Sequence, residues 1–427
     1  MTPASLSQTS AIAAPAPPDI NAETYPFDVV LENLDRTAFF HFYCGGAASM
    51  GPGCECGEAA TGFHLRHLLH RFSTPSAAPP SCDGFKADNF VGEPMASLEH
   101  WWRFMPDRFA ARPGVAVPEI PFDPGRSQRF AMTGGFCSFS SASAPVSAPA
   151  HGFHGFGAGM TYPVPGGDRD VLLAGAVGTL TSGFGRFRGL DGTYTCIGTL
   201  SREAGFRGSI MLRVCDPMGR LAGGEHPGPM RRGYALEPGV TYIVFRGQKK
   251  SAAEKTGFLF GPGGDIAGLR VHQELRLISI DSACNAEGRP RSSWNVGPVI
   301  GEMDARIKFN LTNPGAPGTN DAPIPFQSAN SFRFFDGRGG AIGTLDSDGG
   351  EGRTFRLQLP ESPRQNALRF GAFLPLTRGS GCFEGVRGIM TDNSVVGIAP
   401  HAISTLYVLR LDDPHGRFRL RLRDAWQ

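Results

Sequence analysis

The chain has 427 residues, enough for two or three domains of ordinary size, and its 41 basic and 39 acidic residues nearly balance. This balance argues against a phosphate-binding surface as the main function, so we expect no nucleic-acid partner. No segment approaches about 18 consecutive apolar residues, so no membrane span is expected. The 58 glycines and 32 phenylalanines are typical of β-sheet proteins with tight turns.

The first segment, residues 1–22, is rich in Ala, Ser, Thr and Pro and is expected to be a disordered tail. It lacks the basic region and apolar core of a secretory signal. The nine cysteines are an odd number, which favours free thiols in a reducing compartment. Together these features predict a cytoplasmic location.

The next segment, residues 23–115, carries five of the eleven histidines. His64, His67 and His70 are three residues apart, which predicts an amphipathic helix with the three rings on one side. Four cysteines lie near them: Cys44, Cys54, Cys56 and Cys82. The set could hold a metal ion, but its spacings are not those of common zinc sites. We therefore predict no metal site and no cofactor.

A signature that occurs twice is the most informative pattern in the chain. The first copy reads Thr181, Gly183, Gly185, Phe187, Gly189, Gly192, Thr195. The second copy has the same spacing and reads Thr377, Gly379, Gly381, Phe383, Gly385, Gly388, Thr391. Both continue into an apolar stretch ending in Leu-Arg-x-x-Asp-Pro-x-Gly-Arg, in which Asp216 and Asp413 are predicted turn residues. Upstream, residues 120–122 and 129–130 match 324–326 and 333–334.

The duplication divides the rest of the chain into a first repeat, residues 116–222, a connecting segment, 223–317, and a second repeat, 318–427. Short apolar or alternating stretches separated by Gly, Asp-Gly and Pro-Gly predict antiparallel strands in both repeats. The sequence therefore predicts an all-β protein with two antiparallel barrels in tandem.

The glycines of the signature are two residues apart, which places them on one face of a predicted strand. Such glycines permit the sharp bending that a small closed barrel needs. The opposite face carries Arg186 and Arg188 in the first copy and Cys382 and Glu384 in the second. A shared scaffold with two different linings is one interpretation; a solvent-facing surface is the other.

The stretches 183–192 and 379–388, with the strands that end in Asp-Pro-x-Gly, resemble the allene oxide cyclase barrel family and the related dirigent proteins. This resemblance covers about half of the chain and neither of the two unique segments. It implies eight-stranded, calycin-like barrels with apolar lumens. Members of that family bind small lipophilic molecules and steer cyclisation, isomerisation or radical coupling, largely by shape. None of the family's polar lumen residues is transferred to this sequence.

Three hypotheses follow. The first is an isomerase, cyclase or lyase acting on a small lipophilic or aromatic molecule in a lumen, and the second is a protein that binds or steers such a molecule without chemistry. The third is a scaffold in which the doubled barrel forms a pseudo-symmetric dimer within one chain. A homo-oligomer of the chain is a further expectation. The predicted catalytic residues are Glu384, His154, His401 and Arg188. The predicted ligand-binding residues are Trp101, Trp102, Phe187, Phe383 and Arg186. For the aromatic residues, core packing is the alternative.

Overall fold

The computed structural model is built almost entirely from antiparallel strands. It describes residues 37–45, 61–74, 90–107, 116, 118–139, 151–164, 168, 170–201, 203–216, 219–221, 239–249, 257–262, 266–284, 289–310, 324–358, 366–396 and 403–418. All statements below concern these residues. The predicted tail, residues 1–22, lies outside them.

The first barrel closes eight strands in chain order, with the first strand pairing to the eighth. The strands are β1 (Thr37–Cys44), β2 (Gly62–Ser73), β3 (Phe90–Met105), β4 (Gln128–Phe139), β5 (His151–Pro163), β6 (Val171–Phe184), β7 (Gly192–Ser201) and β8 (Gly205–Cys215). Three of them come from residues 23–115, so this barrel extends beyond the first sequence repeat.

The second barrel is a ring of eight strands with one extra short strand, β10, at its side. The strands are β9 (Val240–Lys249), β10 (Gly257–Phe260), β11 (Ile266–Cys284), β12 (Pro290–Phe309), β13 (Ile324–Phe335), β14 (Ala341–Gln358), β15 (Asn366–Gly381), β16 (Gly388–Val396) and β17 (Ile403–Asp412). β9 pairs with both β17 and β11 and so closes the ring. The predicted all-β tandem of two antiparallel barrels is confirmed.

The side-chain pattern of each strand follows from how many of its faces are covered. β13 alternates between buried and exposed residues, because one face points into the barrel and the other into solvent. β7 and β17 are buried along almost their whole length on both faces. Their outer faces pack against the other barrel, which explains why these two strands are apolar or uncharged at nearly every position.

Equivalent residues of the two barrels can be read from the strand registers. Phe130 pairs with Gly159, and Phe326 pairs with Gly352; in both cases the phenyl ring lies where a glycine Cβ would be. Phe130 therefore corresponds to Phe326, with the separation that also relates Thr181 to Thr377. The upstream sequence match, which set 129–130 against 333–334, is wrong by eight residues. The triplet 120–122 precedes β4, whereas 324–326 begins β13.

We had expected the repeated glycine signature to lie on a strand, but it forms a tight turn. β6 ends at Phe184 and a single 3-10 turn follows over Gly185–Phe187. Gly185 and its counterpart Gly381 both have left-handed backbones, with φ of 63° and 59°. Because L-residues with side chains rarely adopt this conformation, glycine is required there. The signature therefore marks the point where each barrel turns its sixth ring strand into its seventh.

The predicted turn role of the aspartates that follow the apolar stretches is confirmed. Asp216 accepts hydrogen bonds from the backbone N–H groups of Arg220 (2.9 Å) and Leu221 (2.6 Å). Asp413 accepts one from the N–H of Phe418 at 3.1 Å. Both carboxylates hold the chain in a turn at the end of the last barrel strand.

The two barrels pack against each other through a pseudo-two-fold contact. Gly175 faces the side chain of Phe373, and its counterpart Gly371 faces Val177, the counterpart of Phe373. Such reciprocity defines an isologous interface between two copies. An apolar cluster surrounds it: Phe39, Tyr43, Phe72, Val91, Leu173, Ile197, Met211, Tyr242, Val244, Ile278, Ile280, Ile389, Leu406 and Val408.

Buried polar groups also join the barrels. The Arg213 guanidinium of the first barrel donates to the backbone oxygens of Asn393 (3.0 Å) and Ser404 (2.7 Å) in the second. Arg71 forms an ion pair with Asp281 at 2.7 Å. Cys44, Cys196, Cys215 and Cys382 are free thiols, as predicted for these positions. No helix among the described residues has the length and apolar character needed to cross a membrane.

Candidate active site

The interior of each barrel, here called the first and the second lumen, contains a ring of inward-facing residues on neighbouring strands. In the first lumen this ring is Phe104, Phe130, Gly159, Ala176, Cys196, Ile210 and Phe42. In the second lumen it is Phe309, Phe326, Gly352, Ala372, Asp392, Tyr407 and Phe245. Across these seven strands the rings are identical except at two adjacent positions, where Cys196 and Ile210 are replaced by Asp392 and Tyr407. On the eighth strand, Arg71 pairs with Phe42 in the first barrel and Leu277 pairs with Phe245 in the second.

Asp392 is the one carboxylate that the described residues place inside either lumen. It lies on β16, is 4 % exposed, and shares its cavity with apolar side chains of β11, β12 and β15. Burial raises the pKa of Asp392 to about 7, against the opposing effects of its hydrogen bond from Ser394 and of the Arg213 charge. A carboxyl group with such a pKa exchanges protons readily at neutral pH.

Two hydroxyl groups connect Asp392 to the rest of the second lumen. The Ser394 Oγ lies 2.6 Å from the Asp392 Oδ1 and 2.7 Å from the Thr405 Oγ1. Since Ser394 has one proton, it donates to Asp392 when the carboxylate is charged. When Asp392 is protonated, the acid donates to Ser394 and Ser394 donates to Thr405. The network therefore accommodates both protonation states without moving a heavy atom.

Tyr407 extends this network on the neighbouring strand. Its hydroxyl donates to the Gln273 Oε1 at 3.0 Å, and the Gln273 Nε2 donates to the Thr405 Oγ1 at 3.1 Å. Burial and the nearby Asp392 carboxylate raise the pKa of Tyr407 well above its usual value. Tyr407 is therefore a neutral hydrogen-bond donor beside a titrating carboxyl group.

The first lumen holds a different polar group. Tyr194 and Cys196 on β7 and His100 on β3 line a cavity enclosed by leucine and isoleucine side chains, and His67 is buried nearby on β2. Burial lowers the pKa of His67 to about 4 and that of His100 well below its usual value, while it raises the pKa of Cys196 to about 12. All four side chains are therefore neutral at pH 7.

Several atoms of this neutral cluster have no hydrogen-bond partner among the described residues. They are the Nε2 atoms of His67 and His100 and the hydroxyl of Tyr194. The Trp102 indole, which can only donate, lies 3.4 Å from the Nδ1 of His100. The same Nδ1 lies 3.1 Å from the Met132 sulfur, which can only accept, so the two neighbours favour opposite tautomers of the neutral ring.

Both lumens are nearly filled by side chains. The free space is about 20 Å³ beside Cys196 and about 10 Å³ beside Asp392. A single water molecule needs about 10–15 Å³. Eight-stranded barrels are just wide enough for side chains to fill. A ligand larger than water must therefore displace lumen side chains as it enters.

The polar residues predicted from sequence do not lie in a lumen. Glu384 and Arg188 are exposed in the turns that follow the sixth ring strands, and His154 is exposed on β5. Arg186 is half-buried, and its backbone N–H donates to the His151 Nδ1 at 3.1 Å. Because the signature forms a turn and not a strand, the side chains of Arg188 and Glu384 do not line a barrel interior. His401 lies outside the described residues.

The predicted aromatic ligand-binding residues divide into two groups. Trp101 is 39 % exposed and stacks on the outer-face His64 at 3.9 Å between ring centroids. Trp102 is fully buried in the first lumen and stacks on Phe130 at 4.2 Å. Phe187 and Phe383 are buried at corresponding positions of the first and second lumens, as core residues at the signature turns.

The predicted helix over His64, His67 and His70 is wrong, because these residues lie on strand β2. His64 and His67 are therefore on opposite faces, and a β-bulge follows Leu69. Within the described part of the chain, no group of three or more His, Cys, Asp or Glu side chains could hold a metal ion. Cys54, Cys56 and Cys82 lie outside that part.

Sequence reasoning missed Asp392, Tyr407, His100 and Tyr194 as lumen residues. A usable signal was present: Asp392 interrupts an apolar strand directly after the second signature, where the first copy has Cys196. The two copies were matched at the signature and at the closing Leu-Arg-x-x-Asp-Pro-x-Gly-Arg stretch, but not along the strand residues between them. No protein-family model matches the chain, and no curated protein is similar to it.

Proposed function

We propose that the chain is an enzyme that isomerises or cyclises a small apolar or aromatic molecule in the second lumen, with Asp392 as its acid–base group. The observation that carries this proposal is the comparison of the two rings. On seven of the eight strands, five ring residues are identical, and the two that differ introduce a carboxyl group and a phenol side by side. Packing alone does not require this change, since the first ring fills the same place with Cys196 and Ile210.

The chemistry follows from the surroundings of Asp392. As a carboxylate it removes a proton from a carbon next to a carbonyl or alkene, and as an acid it returns the proton elsewhere on the same molecule. The Ser394 and Thr405 hydroxyls reorient as the charge changes. Tyr407 has one hydroxyl proton, which it donates to Gln273; turned towards a bound molecule, the same proton suits an oxygen that becomes more negative during the reaction. The apolar lumen excludes water and holds a reactive conformer.

A non-catalytic binding or steering role is the second candidate. It is favoured by the first lumen, whose polar groups are all neutral and which lacks a carboxylate among its described residues. The two candidates differ in whether activity depends on Asp392.

Native mass spectrometry of the purified chain, beside its denatured mass, identifies any small molecule retained in a lumen. That compound, together with a fixed panel of cyclic enones and phenols, is incubated with wild type, Asp392→Asn and Glu384→Gln. We expect Asp392→Asn to lower the rate of conversion by about 10²–10⁴-fold. Glu384→Gln is the matched control, because it changes an exposed carboxylate of the same barrel.

The pH profile gives a second readout. If Asp392 acts as the base, kcat/KM rises as the pH passes through about 7, the pKa that burial gives this carboxyl. Retained ligand with no conversion by any variant, or full activity of Asp392→Asn, would remove the catalytic proposal and leave the binding role.

A further inference from the structure

The outer face of the second barrel contains an open groove of about 930 Å³, which we call the outer groove. Its charged lining includes Arg270, Asp304, Arg306, Asp346 and Arg378. On β12 the exposed Asp304 and Arg306 alternate with buried residues that face the second lumen. The charged residues of the groove therefore lie on the face away from the lumen, while Ala305 borders both spaces. The size of the groove is that of common small-molecule sites.

One row of side chains at the outer groove is joined internally by hydrogen bonds and an ion pair. The registers of five strands place His272, Asp304, Ser331, Asp346 and Arg378 next to one another. The His272 Nδ1 lies 2.9 Å from the Asp304 Oδ1, and the Ser331 hydroxyl donates to the Asp346 Oδ1 at 2.7 Å. The Arg378 Nε lies 3.5 Å from the other oxygen of Asp346. Both aspartates are thus engaged within their own row.

The neighbouring row contains two arginines directly opposite each other. Arg270 on β11 is the cross-strand partner of Arg306 on β12, and both are exposed. No described acidic side chain forms an ion pair with either of them. Like charges at directly opposed positions of a sheet are destabilising. The pair therefore costs stability, and an anion bound between the two guanidinium groups would relieve this repulsion.

The first barrel shows that the fold does not require this pair. At the equivalent register, His64 lies opposite Trp101 and the two rings stack. In the next pair along the strands, the two barrels agree: Arg66 lies opposite Glu99, as His272 lies opposite Asp304. At this register the second barrel alone places two cations opposite each other, beside its groove. The other opposed arginine pair of this barrel, Arg246 and Arg276, bonds to Ser404 and Glu274.

We propose that Arg270 and Arg306 form a binding site for an anionic group, a phosphate or a carboxylate, of a small polar molecule lodged in the outer groove. Guanidinium groups match the geometry of these anions with two parallel hydrogen bonds. The hydroxyl of Thr377 and the carboxylate of Asp348 also line the groove and suit hydroxyl groups on the same molecule. This ligand class is polar and charged, so the site is distinct from the apolar second lumen.

Isothermal titration calorimetry at constant ionic strength tests the proposal, with inorganic phosphate and citrate as probes. Wild type is compared with the double variant Arg270→Gln/Arg306→Gln and with Arg333→Gln. Arg333 is an exposed arginine of the same barrel whose guanidinium lies 3.8 Å from the Glu302 carboxylate, so it serves as the control. We expect saturable binding to one site in wild type and in the control, weakened at least tenfold in the double variant.

Thermal unfolding without added anion provides an independent check. Since the two arginines repel each other, Arg306→Gln is expected to leave the melting temperature unchanged or to raise it. The relative affinities for phosphate and citrate distinguish the two anion types. Equal binding by wild type and the double variant, or the absence of saturable binding of both probes to wild type, would overturn the proposal.

Discussion

The two barrels have the same strand arrangement and most of the same lumen ring, but their buried titratable groups have pKa values shifted in opposite directions. In the first barrel, buried His67 and His100 are neutral because burial lowers the pKa of each ring. In the second barrel, burial raises the pKa of Asp392. Burial disfavours the charged form in both cases. The pKa falls for histidine, whose protonated form is charged, and rises for aspartate, whose deprotonated form is charged. Closely related interiors thus become chemically different through few side chains.

The largest effect is expected when the carboxyl group of the second lumen is placed in the first. Cys196→Asp would bury a carboxylate without the hydroxyls that surround Asp392, because Ser394 and Thr405 correspond to Gly198 and Gly208. We expect a loss of about 3–5 kcal/mol in the free energy of unfolding at pH 7. Urea denaturation of the variant measures this loss.

Two controls test whether the loss caused by Cys196→Asp comes from the buried charge. Cys196→Ala removes the thiol without adding a charge and should cost much less. The loss caused by Cys196→Asp should shrink at pH 4, where the carboxyl group is protonated. A loss below about 1 kcal/mol at pH 7 would show that the first lumen accommodates a charge without the serine–threonine pair.

The next largest effect concerns the pH dependence of stability. Unfolded histidine takes up a proton below pH 6.5, whereas His67 in the folded chain stays neutral down to about pH 4. Stability therefore falls as the pH decreases through this interval, by roughly 3 kcal/mol for His67. Asp392 acts in the opposite sense: the folded chain keeps a proton that the unfolded chain loses near pH 4, so this contribution declines as the pH rises to about 7.

Urea midpoints measured from pH 4 to pH 8 separate the two contributions. Relative to wild type, His67→Gln should lose less stability on acidification from pH 6.5. As the pH rises from 4 to 7, Asp392→Asn should lose less stability than wild type, since an amide does not titrate. Parallel pH curves for wild type and both variants would contradict the opposite titration of the two lumens.

A smaller effect is expected from changing the side-chain volumes at two paired positions on neighbouring strands. Tyr194 lies over Gly178 in the first barrel, whereas the equivalent pair in the second is Met390 and Leu374. Gly178→Ala would force a methyl group into the Tyr194 ring, with an expected loss of about 1–3 kcal/mol. The same change combined with Tyr194→Met should cost clearly less than the sum of the single changes, measured by urea denaturation in a double-mutant cycle. Simple additivity would show that the two positions do not share one space.

The fold was predictable from sequence because its repeated elements depend on local chemistry. Gly185 and Gly381 have left-handed backbones that need glycine, and the turn aspartates Asp216 and Asp413 bind their own backbone. The prediction of a helix over the three histidines was wrong because it used their three-residue spacing and ignored the apolar residues around them. Those residues alternate as in a strand with a bulge after Leu69. Short apolar runs do not distinguish helix from strand by period alone.

The candidate site was harder to predict, because its residues are brought together by strand register. Asp392 and Tyr407 lie on neighbouring strands, and Gln273 reaches them from a strand more than a hundred positions earlier. The face on which a residue lies depends on a single register step. The signature residues were chosen as strand residues, and the turn at Gly185–Phe187 places their side chains elsewhere.

The reciprocal contact of Gly175 with Phe373 and of Gly371 with Val177 has an evolutionary consequence. In a homodimer built from separate chains, every substitution appears in both subunits, and dilution separates them. Joining the halves in one chain makes their association intramolecular, at a high effective concentration. One half is then free to carry Asp392 while the other carries Cys196, and both keep the common contact.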